Sequence, residues 1–192
     1  ASRYGAQVTG IDLTPEFVET ADRLTQIVGL SVSYQVGSAL DMPVNDAGFD
    51  LATLIHVGMN VPDKQKLFSE AARVLRTDGT FAVYDVMQLS AEHPDFPLPW
   101  ASTPEASFLD KPESYRTASA IAGFKQVAEE ERGEFACEFF KKLAASIPAS
   151  GPPPLGLGII MGADVQMKIG NMVKAVEVGS VAPIEMIFRK LS

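Results

Sequence analysis

Through its first 86 residues the chain alternates short β-branched apolar runs with stretches of helical period, and that alternation leaves few folds open. Residues 7–11 form a buried-type run, with Val8, Thr9 and Ile11, closed by Asp12. Thr14 then offers an N-cap, Pro15 suits the first helical position, and Glu16 is acidic in the first turn. Phe17, Val18, Ala21, Leu24, Ile27 and Val28 recur at helical spacing until Gly29. Strands are expected at 32–36, 49–55 and 80–86, with a helix at 63–75 and a turn at Thr77, Asp78 and Gly79. Strands alternating with helices give a mostly parallel sheet covered on both faces, and right-handed crossovers make it doubly wound. The expected fold is therefore α/β, a doubly wound, mostly parallel sheet. An antiparallel C-terminal strand at 181–189 closes it, with Pro183 near its start or on an edge.

After Val86 the pattern loosens. Residues 87–113 are proline-rich and aperiodic, which marks a lid or acceptor-binding insertion over 87–119. Helices are expected at 115–122, 135–145 and 163–178, a strand from Gly123 into Glu134, and a turn-rich connector at 148–158. At 192 residues the chain suits a single domain, 1–192.

Composition excludes several functions. Sixteen Lys and Arg against 24 Asp and Glu give a net charge of −8, the wrong field for a nucleic-acid backbone binder. No apolar run approaches the roughly 20 residues of a membrane span, so neither nucleic acid nor membrane is an expected partner. One cysteine, Cys137, excludes an internal disulfide and suits a reducing, cytoplasmic setting. One Cys and two His at distant positions give no metal-ligand spacing, so no metal is expected.

In open α/β sheets ligands lie beyond the carboxyl ends of the strands. Asp12 stands at such an end, where a carboxylate can accept both hydroxyls of a ribose through charge-assisted bonds; the alternative is that it only starts the helix. The motifs Val8-Thr-Gly-Ile-Asp-Leu-Thr-Pro15, Gly37-Ser-Ala-Leu-Asp-Met-Pro43, Phe49-Asp-Leu-Ala-Thr-Leu54 and Arg73-Val-Leu-Arg-Thr-Asp-Gly79 occur in this order. Together they resemble class I S-adenosylmethionine-dependent methyltransferases, nearest the ubiquinone-type and sarcosine/dimethylglycine-type small-molecule branch. The resemblance covers residues 1–87 well and the remainder loosely.

It implies a Rossmann-like methyltransferase fold with S-adenosylmethionine as cofactor and a small organic acceptor as partner, the oligomeric state being left open to a homo-oligomer. It implies that Asp12 holds the cofactor ribose with Leu13 beside the adenine. Ser38 and Ala39 match the family's usual Asp-Ala pair, Ser38 being a departure that weakens the adenine contact. Leu40 and Met42 neighbour the purine, and Leu54 and Ile55 fall where the methionine part lies. His56 and Asn60 match positions that often carry an acid and a His. In Arg73 to Gly79, Thr77 and Asp78 replace the usual Pro-Gly.

The resemblance also implies an absence. The family's first strand and Gly-rich loop would precede Ala1, and residues 1–5 read as the end of a helix. The chain is thus expected to be N-terminally incomplete, by roughly 50 residues or more on βαβ length. Without that strand the ones ending at Asp12 and Ile55 either pair directly, accept a strand from another chain, or flank upstream residues; the last is the expectation.

Methyl transfer asks mainly for alignment and exclusion of water, plus loss of a proton from the acceptor. His56 is the candidate base, or else a hydrogen-bonded packing histidine. Asn60, Trp100 and Asp85 are candidate pocket residues, Phe96 and Phe108 candidate walls, and Met161, Met167 and Met172 candidate flanks of an apolar acceptor or plain core. Two competing readings are a non-catalytic fragment of the same fold acting as an assembly module and, less well supported by the motif context, a nicotinamide dehydrogenase.

Overall fold

The structure is a computed structural model and describes residues 1–146, 156 and 158–192. Strand β1 (Val8–Asp12) feeds helix α1 (Pro15–Ile27), which returns the chain to a parallel partner, β2 (Val32–Val36). Strand β3 (Phe49–Ile55) leads through a short 3-10 turn, Gly58–Asn60, into α2 (Lys64–Val74) and back to β4 (Leu75–Gln88), again parallel. Asp63 caps α2 by accepting from Lys66 N–H at 2.8 Å. Then come α3 (Pro112–Ile121), β5 (Phe124–Glu131), α4 (Gly133–Ser146), the four-residue α5 (Gly158–Met161), α6 (Val165–Glu177) and β6 (Val181–Lys190).

Strand β6 runs antiparallel between β4 and β5, in the order β3-β4-β6-β5. Strands β3, β4 and β5 share one direction and β6 opposes them, so the expected mostly parallel sheet with an antiparallel last strand is what forms. Pro183 sits third in β6, interior to the sheet rather than on its edge. Its carbonyl accepts from Arg132 N–H at 2.8 Å, just past the end of β5. The ring nitrogen faces that same side, so the one bond it cannot make is the return donation to Arg132, just past the end of β5.

The core lies where α2 and α3 cover the four-stranded sheet. Phe68, fully buried on α2, meets Phe81 and Phe188 with ring centroids 5.2 Å away, Phe124 at 6.1 Å and Tyr115 at 6.2 Å, all edge-on.

The strands β1 and β2 form a separate two-stranded sheet, and β1 does not pair with β3. Strands central to a parallel sheet are normally buried on both faces, yet no residue of β1 is buried. Leu51 and Ile55 of β3 remain 53% and 59% exposed. Helix α1 buries only Thr25 and leaves its apolar Phe17, Leu24 and Ile27 exposed.

Several boundaries differ from the sequence expectation. The turn at 77–79 lies within β4 as a bulge: Phe49 pairs with Leu75, Leu51 already with Thr80, and Asp78 takes φ +60°. The lid expected over 87–119 shrinks, because Met87 and Gln88 finish β4 and α3 begins at Pro112. The irregular stretch is 89–111, with one 3-10 turn at Pro104–Ala106. Strand β5 stops at Glu131 because Gly133 and Glu134 open α4. The connector expected at 148–158 lies outside the described residues apart from 156 and 158.

Candidate active site

The carboxyl ends of β1, β3 and β4 and the loop after β2 open onto one cavity of about 1060 Å³, at the upper end of small-molecule sites (about 300–1,000 Å³). At the end of β1, Asp12 lines this cavity, and its Oδ1 accepts from Thr14 N–H at 2.8 Å, which fixes the carboxylate at the rim. Thr14 occupies the N-cap position but makes no side-chain cap bond, so Pro15 and that backbone bond set the helix start. Gly37 N–H donates to Asp12 carbonyl at 2.9 Å, tying the two strand ends together. A Cβ at Gly37 would fall 2.5 Å from Pro43 Cδ, so only glycine lets the loop cross there. Ser38 Oγ accepts from Leu40 N–H at 3.1 Å, shaping the loop that carries Ser38, Ala39 and Leu40 to the cavity wall.

Arg73 holds the far side of this loop. Its guanidinium donates to the carbonyls of Met42 and Val44, both at 2.8 Å, and to the carboxylates of Asp46 at 2.7 Å and Glu70 at 2.8 Å. Glu70 in turn accepts from Met42 N–H at 3.0 Å. The Arg73 guanidinium holds the buried Glu70 carboxyl below its usual range.

At the end of β3 the chain reverses on His56, whose φ of +54° is unusual for a side chain with a Cβ. Three contacts hold the reversal. His56 N–H donates to Tyr84 carbonyl at 2.8 Å, and the next two N–H groups, of Val57 and Gly58, donate to Asp85 at 2.9 and 3.0 Å. Asp85 has no exposed surface. Burial pushes its carboxyl up to about 6 against the two backbone donors and the Tyr115 hydroxyl, which donates at 3.3 Å. Lys64 lies close by, its Nζ donating to the carbonyls of Val61 at 2.7 Å and Phe108 at 2.9 Å, and burial draws its pKa down. A Cβ on Gly58 would overlap both Asp85 Oδ2 and the Tyr115 hydroxyl. The reversal delivers the His56 ring to the cavity, 5.0 Å from the Tyr84 ring. Desolvation lowers the His56 pKa from 6.5, which keeps the imidazole neutral and able to accept a proton at pH 7.

The cavity thus gathers Asp12, Leu13, Ser38, Ala39, Leu40, His56, Asn60 and Trp100. Three expected site residues stay outside it. Asp85 supports the turn beneath His56 and is sealed from the pocket. Leu54 is buried in the main core. Ile55 is exposed on β3 but is absent from the cavity wall. Met42 packs against the core rather than the cavity, as do neither Phe96 nor Phe108 line it. Met161 and Met172 reach the wall and Met167 does not.

The wall opposite the strand ends was not read as a pocket from the sequence. Phe135, Ala136, Phe139 and Phe140 of α4 and Ile169 and Val176 of α6 line it. The available signal was the Phe135 and Phe139 pair, one helical turn apart on a helix that lacks a core partner for them. Among the described residues no group of three or more His, Cys, Asp or Glu is placed to hold a metal ion. No helix among them is long and apolar enough to cross a membrane.

Residues 1–83 match the family profile described as a methyltransferase domain. Ajmaline N-methyltransferase of Rauvolfia serpentina is 40% identical over 85 residues, 43% of this chain and 29% of that protein. The chloroplastic tocopherol O-methyltransferase of Arabidopsis thaliana is 36% identical over 85 residues, 43% of this chain and 24% of that protein. The chain thus spans less than a third of the length of either relative. Among solved structures, geranyl diphosphate C-methyltransferase from Streptomyces coelicolor A3(2), in complex with S-adenosyl-L-homocysteine, superposes with a TM-score of 0.78 at 17% identity, covering 99% of this chain and 63% of that one. The [4+2]-cyclase SpnF superposes at 0.72 with 21% identity, covering 100% of this chain and 68% of that one. These two likenesses establish the fold, which by itself does not select a reaction. Residues 1–83, less than half of the chain, are thus similar to a methyltransferase domain, and the fold of the chain as a whole is shared with these solved structures.

Proposed function

We propose that the protein transfers a methyl group from S-adenosylmethionine to a small organic acceptor. The observation that carries this reading is the convergence of Asp12, the Gly37–Leu40 loop and the neutral His56 on one cavity at the strand ends, within a chain whose residues 1–83 match the methyltransferase profile. The residues present fit the cofactor. Asp12 is anchored by Thr14 and presents a carboxylate suited to two ribose hydroxyls. Leu13, Ala39 and Leu40 offer apolar flanks for a purine, and the loop closes only because Gly37 lacks a Cβ. When bound, S-adenosylmethionine supplies an electrophilic methyl on a sulfonium, open to in-line displacement by the acceptor's nucleophilic atom.

The chain's own contribution is positioning and proton removal. His56 accepts the proton that the acceptor's hydroxyl or amine must lose, and Asp85 holds the turn that aims it. Asn60 and Trp100 orient the acceptor, and the apolar helices α4 and α6 exclude water from the reacting pair. We further propose that one more parallel strand joins the two sheets between β1 and β3, since β1 pairs only with β2 and β3 only with β4 among the described strands and each leaves an edge unpaired. A cytoplasmic setting accords with the single unpaired Cys137.

The test uses the one tryptophan of the chain, Trp100, on the cavity wall. Its emission is titrated with S-adenosylmethionine, and candidate hydroxyl and amine acceptors are then screened by mass spectrometry for the gain of one methylene. Saturable quenching with a methylated product supports the reading; no quenching and no product overturns it.

A further inference from the structure

We propose that the half of the cavity walled by Trp100, α4 and α6 receives an uncharged, ring-bearing or isoprenoid-like acceptor and rejects acceptors that carry a carboxylate, sulfonate or phosphate. The acceptor role rests on the methyltransferase reading; the ligand chemistry rests on the walls alone.

Across this half the lining is Phe139 and Phe140 from α4, Ile169, Met172 and Val176 from α6, and the indole of Trp100. The Phe135 and Phe139 rings stack with centroids 6.5 Å apart and planes 20° apart, while Phe140 meets Phe139 edge-on at 5.4 Å. Phe135 and Phe139 are 62% and 50% exposed, so their faces are not consumed by the core and are free to stack on a flat or branched apolar guest. The Met172 thioether adapts to ring edges. Trp100 brings no polar handle, because its indole N–H already donates to Ser107 Oγ at 3.0 Å.

The charges tell the same story. Among the described residues the titratable groups lining the cavity are Asp12, His56 and Tyr84, all at the strand ends, and none is Lys or Arg. Of the four lysines on α4 and α6, Lys141 is exposed and does not line the cavity, and the other three are engaged elsewhere. Lys168 donates to Met161 carbonyl at 2.8 Å and pairs with Asp164 at 3.1 Å. Lys174 pairs with Asp95 at 2.7 Å and Lys142 with Glu138 at 3.5 Å. An anionic acceptor would therefore enter unpaired, which is costly in an apolar site, and would do so against a net charge of −8.

Two fluorescent probes differ only by the group in question: neutral phenylnaphthylamine and its sulfonate derivative, anilinonaphthalene sulfonate. Both are titrated against the wild-type chain and against Phe139→Lys, a half-exposed helix position that tolerates lysine. Met172→Lys serves as a second variant if the first does not fold by circular dichroism. The expected result is that wild type binds the neutral probe about tenfold more tightly than the sulfonate, and that the introduced cation narrows or reverses this preference. Equal binding of both probes by wild type, tighter binding of the sulfonate, or a preference that neither folded variant alters overturns the proposal. A failed S-adenosylmethionine titration would overturn the methyltransferase reading while leaving this probe result standing, so the two failures are distinguishable.

Discussion

The buried carboxylate beneath the His56 turn makes a quantitative prediction. At neutral pH Asp85 accepts from Val57 N–H, Gly58 N–H and the Tyr115 hydroxyl while fully buried. Asn at this position keeps the shape, removes the charge and turns one acceptor into a donor. At least one of those three donors then loses its partner, at about 1–3 kcal/mol each. The native carboxylate carries an opposing cost, because burial raises its pKa from 3.8 to about 6. That gap corresponds to about 3 kcal/mol at 1.36 kcal/mol per pH unit. The sign follows from which state binds the proton more tightly. Here it is the folded state, so this group's contribution to stability is fully present below pH 3.8 and is lost as pH rises through about 6. Asn does not titrate. The stability of wild type minus that of Asp85→Asn should therefore shrink by about 2 kcal/mol between about pH 4 and pH 7. Urea denaturation followed by far-UV circular dichroism, run on both proteins across that range, measures the difference and cancels the other carboxylates. A difference independent of pH, or one that widens toward neutrality, would refute the reasoning.

Three further outcomes are expected. Gly58→Ala places a methyl against Asp85 and Tyr115 and should destabilise by about 1–3 kcal/mol, visible as a lower urea midpoint. Arg73→Ala releases the 42–46 loop and strands the buried Glu70 carboxylate, so the melting temperature should fall; Arg73→Lys should recover only part, since an ammonium cannot form the same fork. If His56 is the base, the acid limb of the wild-type kcat/KM profile should lie below pH 6.5, because burial lowers its pKa from that value. His56→Ala should be slower and lack that limb, whereas a variant with the wild-type profile would reduce His56 to packing.

The half of the molecule with regular alternation was legible in the sequence, for a physical reason. Strand ends and helix starts are written locally, so Asp12, Thr14-Pro15 and the run to Gly29 placed β1 and α1 within a residue or two. The family resemblance, rather than any local signal, implied a further strand between those ending at Asp12 and Ile55. Of the three outcomes considered for the strands ending at Asp12 and Ile55, direct pairing is the one the structure rejects. What the sequence left hidden depends on contacts between distant segments. Asp85, at a strand end, suggested an acid that orients an acceptor or one that simply caps a turn, and the structure gives it a turn, though the one after β3 rather than the next. Only the return of α3 with Tyr115, and the sharp turn at His56, bury it 27 to 30 residues away from its partners in sequence. Pro183 suggested a position near the start of its strand or on an edge, and it stands third in β6, near the start of an interior strand. The apolar wall of α4 was read as an ordinary helix, since a stripe facing a cavity has the same period as one facing a core.

The claim on which the rest depends is that Asp12 holds S-adenosylmethionine at the strand ends. Isothermal titration calorimetry of the wild-type chain and of Asp12→Ala with S-adenosylmethionine tests it directly. The account predicts saturable heat for wild type and a dissociation constant raised about tenfold or more in the variant, as two charge-assisted bonds are lost together. No heat from wild type at millimolar ligand, or an unchanged dissociation constant in Asp12→Ala, would contradict it.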